Sequence, residues 1–182
     1  MFKQIAAAAA LVIASSSAFA QQAPKFYVGA DVTSTKAKDT DGNETGYGAF
    51  AGYKFNENFA IEGGLRRLAD ISDTYYDDYY DVDMNEKVKL NQTSIAVIGT
   101  LPLSSGFGIY GRLGYNHVKA KYRVTASSGG FSASEADSYS ENKVVYGAGL
   151  TYSFTPAIVG RLEVQKPVSD LTTVVAGVSF GF

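Results

Sequence analysis

The chain has 182 residues, with 16 Lys and Arg against 18 Asp and Glu for a net charge of −2, 46% hydrophobic residues, 19 glycines and no cysteine. That length suits one domain on a scale of about 100 to 200 residues each, and the slightly acidic balance excludes a surface built on net positive charge for nucleic acid. The missing cysteines exclude both a disulfide framework and a lipid-modified N-terminal cysteine.

Lys3 is followed by the apolar run IAAAAALVI, Ile5 to Ile13, and by ASSSAFA ending at Ala20. This is the layout of a secretory signal peptide, with cleavage expected after Ala20; the apolar run is about half of the roughly 20 residues that a membrane helix requires. Residues 1–20 are therefore expected to be an export signal and residues 21–182 the folded domain. No later apolar run reaches the about 18 residues of a transmembrane helix.

From Lys25 onward the apolar period is two. FYVGADV sets Phe26, Val28, Ala30 and Val32 against Tyr27, Gly29 and Asp31. GYGAFAGYKF sets Tyr47, Ala49, Ala51, Tyr53 and Phe55 against Gly46, Gly48, Gly52 and Lys54, with Phe50 out of place on the polar face. FAIEGGL follows, then TSIAVIGTL, whose consecutive apolar residues Ile95 to Ile98 leave its parity open. FGIYGRLGY, VVYGAGLTYSF, AIVGRLEV and TTVVAGVSFGF complete the series. Alternation of this kind marks strands, and eight of them predict an all-β fold, an eight-stranded antiparallel up-and-down barrel.

A soluble barrel turns its apolar face inward, whereas a membrane barrel turns it to lipid and keeps a polar interior. Glu62, Arg112, Arg161 and Glu163 stand mid-strand on the polar face among many glycines. That mixture suits a narrow lumen in which large and small side chains alternate, while glycines on a solvent face would weaken the strands for no gain. Connection lengths agree. Short turns at residues 56–58, 102–106 and 155–157 alternate with longer links near 36–44, 72–86 and 125–141, and a brief one near 167–170. Outer-membrane barrels have short periplasmic turns and longer outer loops. Phe26, Tyr27, Tyr53, Phe55, Phe59, Phe107, Tyr152, Phe154, Phe180 and Phe182 fall beside the short turns and termini, where an interfacial aromatic girdle is expected. Closure removes sheet edges and satisfies every backbone amide in lipid, which supplies stability without disulfides.

The segments GYGAFAGYKFNENFAIEGG, GIYGRLGYN, GLTYSFTPAIVGRLEVQ and AGVSFGF resemble the OmpA-like family of small eight-stranded outer-membrane barrels, over nearly all of residues 25–182. The resemblance implies a monomer in a bacterial outer membrane, loops outside, both termini periplasmic, with no cofactor. In that family an amphipathic last strand with a terminal aromatic, here Phe182, is read by the outer-membrane assembly machinery. The family's peptidoglycan-binding domain has no counterpart, so no cell-wall tether is carried over. The family's paired lumen glutamate and arginine match Glu62 and Arg161, and two further charged gate positions are Val97 and Thr151 here. That departure leaves the alternative, lumen-opening pairing without its charges.

Four features carry the functional expectations. Glu62, Arg112, Arg161 and Glu163 form a lumen cluster that is either a static plug or a gate for ions or small solutes. His117, Lys119, Lys121 and Arg123, with Arg67 on the third strand, make an outward basic stripe suited to lipopolysaccharide phosphates or to a solvated strand extension. The stretch TYYDDYYDVD, Thr74 to Asp83, fits no helix or half-buried strand pattern and is placed in an outer loop. There Tyr75, Tyr76, Asp77, Asp78, Tyr79 and Tyr80 offer amphipathic contact area for a host or other surface ligand. Its aspartates present Ca²⁺-type ligands but lack EF-hand spacing, so no metal site is assigned. The third loop, TASSGGFSASEADSYS, reads as flexible. A catalytic site is not expected: His117 is the single histidine, with no serine on its face within two residues. The role these features predict is a structural, surface-exposed scaffold; a narrow gated pore ranks second and a lipid A-modifying enzyme third.

Overall fold

The computed structural model describes residues 24–38, 42–77, 82–128 and 131–182. Eight antiparallel strands, β1 (Phe26–Ala37), β2 (Asn43–Lys54), β3 (Phe59–Asp77), β4 (Val82–Pro102), β5 (Phe107–Ser128), β6 (Phe131–Ser153), β7 (Ile158–Lys166) and β8 (Leu171–Gly181), close in sequence order. The β1–β8 ladder, from Tyr27↔Gly181 to Ala37↔Leu171, seals the barrel. The expected export signal lies outside the described residues.

Three tight turns gather at one end with the two termini, and two of them are held by the same device. Asn56 Oδ1 accepts from the backbone N–H groups of Asn58 (2.9 Å) and Phe59 (2.8 Å). Thr155 Oγ1 accepts from those of Ala157 (3.3 Å) and Ile158 (2.9 Å). Short polar side chains mimic a backbone turn in this way. In the third, Ser105 and Gly106 take φ values of 61° and 82°, the left-handed pair that a two-residue hairpin turn requires.

Lipid-type polarity is evident from burial. Leu65, Leu113, Ile95, Val97, Leu162 and Val178 are exposed outward, while Asp31, Glu62, Arg66, Arg112 and Glu163 are buried inside. In β4 Gln92, Ser94, Ala96 and Ile98 face the lumen, which fixes the parity left open by the run of apolar residues. Val97 therefore faces out and is no gate position; Thr151 alone of that pair lines the lumen. Tyr27 is also not part of the aromatic girdle, since at 8% exposure it stands inside the barrel. Phe50 belongs on the polar face after all, because the ring of Tyr27 packs against its edge and the guanidinium of Arg161 lies 3.4 Å from its ring centroid. The girdle itself is continuous where Phe26 meets Tyr53 and Phe182, and where Tyr152 meets Phe107 and Phe154.

Glycines make room for these interior rings: a Cβ at Gly52 would run into Tyr27, and one at Gly149 into Tyr110. Gly52→Val is expected to lower unfolding free energy by about 1–3 kcal/mol through overpacking, measured by urea titration of the refolded barrel.

Strand lengths are unequal. A tilted strand of about 9–11 residues crosses a membrane, close to β7 (9 residues) and β8 (11 residues). By contrast β3 to β6 run for 19, 21, 22 and 23 residues. The extra ten or so residues at about 3.3 Å each, tilted by about 45°, rise roughly 20 Å beyond the spanning belt. The β2–β3 ladder stops at Tyr47↔Arg67 and the β6–β7 ladder begins at Tyr146↔Lys166. Above those levels the four strands continue as a sheet without a described β2 or β7 neighbour. The stretches expected to be loops are accordingly mostly strand: Thr74–Asp77 ends β3, Val82 opens β4, and β5 and β6 run to Ser128 and from Phe131.

Candidate functional site

Alternation on β1, β3, β5 and β7 delivers three carboxylates and three guanidiniums to one level of the lumen, where they bond in strict alternation. Arg66 clamps Asp31 (Nη2–Oδ2 2.8 Å, Nε to both oxygens 3.1 Å). Arg161 bridges Asp31 (3.1 Å) and Glu62 (2.7 Å). Arg112 bridges Glu62 and Glu163, at 2.6 Å to each. Tyr27 donates to Glu62 (3.1 Å) and Tyr110 to Glu163 (2.8 Å).

The result is a neutral chain, Arg66–Asp31–Arg161–Glu62–Arg112–Glu163, strung across the barrel. All four lumen residues expected from the sequence are in it, and the Glu62–Arg161 contact exists. Asp31 and Arg66 were not anticipated as members. A signal existed for Arg66, since it neighbours the outward Arg67 and must face the other way. Buried ions require such mutual pairing.

Beyond this layer, toward the long-hairpin end, a second one is neutral. Gln92 Nε2 donates to Asn116 Oδ1 (3.2 Å), and Asn116 Nδ2 donates to the Pro167 (2.8 Å) and Lys143 (3.0 Å) carbonyls. Thr35 and Thr173 meet at 3.1 Å, and Gln165, Val145 and Val175 are also buried. Toward the short-turn end the lumen instead opens into a cavity of about 220 Å³, roofed by Glu62, Arg161, Tyr27 and Tyr110.

Outside the barrel the basic stripe is larger than the sequence suggested. His117, Lys121 and Arg123 are exposed and Lys119 half-buried. The β4–β5 register sets Lys87 opposite Arg123, Lys89 opposite Lys121 and Asn91 opposite Lys119. Lys87 and Lys89 were missed because the parity of β4 could not be read from its apolar segment, although Lys87, Lys89, Asn91 and Thr93 alternate. A register shift between Arg67 and Ala69 buries Leu68 and turns Asp70 outward. Asp70 then meets Arg67 (3.1 Å) and Lys89 (3.6 Å), while Arg67 also lies 6.0 Å from the Tyr47 ring centroid. Directly below this patch runs the exposed apolar row Ile95, Tyr115 and Val144.

His117 Nδ1 contacts Asn142 Oδ1 at 2.8 Å on the outer surface, and Thr93 stands opposite His117 in the β4–β5 ladder. Of the tyrosine-aspartate stretch, the backbone of Tyr75, Tyr76 and Asp77 lies in β3, and Asp78, Tyr79 and Tyr80 fall outside the described residues. Phe182 donates its N–H to the Phe26 carbonyl (2.8 Å) and accepts from the Phe26 N–H (3.2 Å), at the seam.

The family model described as the outer membrane protein β-barrel domain matches residues 6–182. Outer membrane protein A of Salmonella typhi is 28% identical over 186 residues, covering 94% of this chain and 51% of the relative, so the chain spans about half the length of the curated relatives it matches. Among solved structures, Ail, the attachment invasion locus protein of Yersinia pestis, crystallised with the heparin analogue sucrose octasulfate, is 22% identical with a TM-score of 0.50, covering 87% of this chain and 97% of Ail. A de novo designed transmembrane β-barrel is 15% identical with a TM-score of 0.54, covering 89% of this chain and 98% of the design. At these identities the likeness is one of fold.

Proposed function

The chain belongs to the outer membrane protein β-barrel domain family, and from that premise we propose that it is a closed, lipopolysaccharide-anchored scaffold that holds a four-stranded sheet outside the cell. The observation that carries this reading is the cationic ladder Lys87–Arg123 and Lys89–Lys121, on the outward face six to eight residues above the apolar row Ile95, Tyr115 and Val144. Like charges directly opposite one another destabilise a sheet. An anionic layer beside them reverses that sign, each cation gaining roughly 1 kcal/mol near an anionic surface. In this reading the long hairpins face outward, the short turns and termini face the periplasm, and the ladder meets the phosphates of lipopolysaccharide.

The test compares urea midpoints of the refolded barrel in phospholipid bilayers with and without lipopolysaccharide. The wild type is expected to gain stability from lipopolysaccharide, increasingly at low salt, and Lys87→Glu with Lys121→Glu to lose that gain. An equal gain in both proteins would sink the reading. Ail has been crystallised with a sulfated heparin analogue, so the same titration with a soluble sulfated polysaccharide forms a second arm. A response to the polysaccharide alone reassigns the ladder from the barrel's own membrane to a host surface.

Closure of the lumen is the second element of the proposal. The charge network leaves no oxygen of Glu62 or Glu163 without a donor, which favours a plug over a regulated gate.

A further inference from the structure

The open end of the lumen holds a charge that the network does not use. Alternation on β2 points Gly48, Phe50, Gly52 and Lys54 inward, so Lys54 enters the cavity near the short turns and contributes to its lining. Its Nζ lies 5.8 Å from the Tyr27 ring centroid. Among the described residues no carboxylate comes within ion-pairing distance of it; the lumen pairs involve Arg66, Arg112 and Arg161 instead. The acid at the roof, Glu62, already accepts from Arg112, Arg161 and Tyr27 and is not free to serve Lys54.

We propose that this vestibule is a binding site for a compact oxyanion, of the inorganic phosphate or small carboxylate class, with Lys54 as its charged anchor. Lys54 offers three donors, and the hydroxyls of Thr100 and Thr151 line the same cavity and can donate to the remaining oxygens. The volume of about 220 Å³ corresponds to roughly seven waters at about 30 Å³ each. It admits a phosphate with part of its hydration shell. Narrow low-dielectric walls concentrate the field of a single charge, so one lysine acts more strongly there than on an open surface. Two acids face the site: Glu62 at the roof, whose charge is matched by Arg112 and Arg161, and Glu57, which lines the rim from the exposed turn after β2 and opposes anion entry.

The experiment is an NMR titration of the refolded barrel in a zwitterionic detergent, with inorganic phosphate and then acetate replacing chloride at constant ionic strength. Saturable shifts are expected at the amides of Gly52, Lys54 and Thr151, and little change at the long-hairpin end. Lys54→Gln is expected to weaken the apparent affinity roughly tenfold, the loss of one charge-assisted contact, with Lys54→Arg retaining it and Glu57→Gln tightening it. Matching spectra elsewhere in the barrel establish that each variant is folded. Non-saturating shifts in the wild type, or saturable ones unchanged in Lys54→Gln, overturn the proposal. This outcome is independent of the lipopolysaccharide test, which addresses the opposite end of the barrel.

Discussion

Arg112→Ala is expected to lower the unfolding free energy by about 3–5 kcal/mol, the scale for removing one partner from a buried ionic cluster. Arg112 is the single donor shared by Glu62 and Glu163, and its side chain is 1% exposed. After its removal Glu62 still accepts from Arg161 and Tyr27, whereas Glu163 retains only Tyr110. The stranded charge is thus Glu163, and the second substitution Glu163→Gln is expected to recover part of the loss. A double-mutant cycle by urea unfolding in bilayers or micelles reads this coupling. Additive effects of Arg112→Ala and Glu163→Gln would show that the two side chains do not act as a pair.

In a planar bilayer the proposed plug predicts no discrete current steps from the wild-type barrel, since the ionic layer and the Gln92–Asn116 layer lie in series along the lumen. Arg161→Ala removes the guanidinium that roofs the vestibule and ties Asp31 to Glu62. The network then holds two arginines against three carboxylates, so any steps that appear are expected to prefer cations. Steps in the wild type that Arg161→Ala alters in size or lifetime would instead favour a gated pore.

Much of this barrel was legible because a period-two pattern admits few readings once the polar face carries both ions and glycine. Strand number, the short turns and four of the six network residues followed from that pattern. What failed did so for identifiable reasons. Residues 95–98 are apolar on both faces, so β4 could not be oriented, and with it went Lys87, Lys89 and the assignment of Val97. Alternation also stops being diagnostic once a strand leaves the membrane. Outside lipid, both faces of a hairpin tolerate polar side chains, so Thr74–Asp77 and Thr125–Ser128 read as loop although their backbones continue the ladder. The register shift at Arg67/Ala69 added to this, since one extra residue inverts the parity of everything after it. Tyr27 was assigned by its position beside a strand end, when its face alone would have placed it inside.

The β1–β8 seam has a consequence in time. β1 is hydrogen-bonded to β2 within a short loop, but its other side waits for β8, so the pairing of Tyr27 with Gly181 spans almost the whole domain. Contacts of such separation form slowly, after the loop-closure entropy of the intervening chain has been overcome. Until β8 arrives, β1 has an open edge able to pair with any extended chain, and the inward ions, Asp31 of β1 with Arg161 of β7, have no common interior in which to meet. Closure, ion pairing and exclusion of foreign strands therefore coincide, at the meeting of the eighth strand with the first.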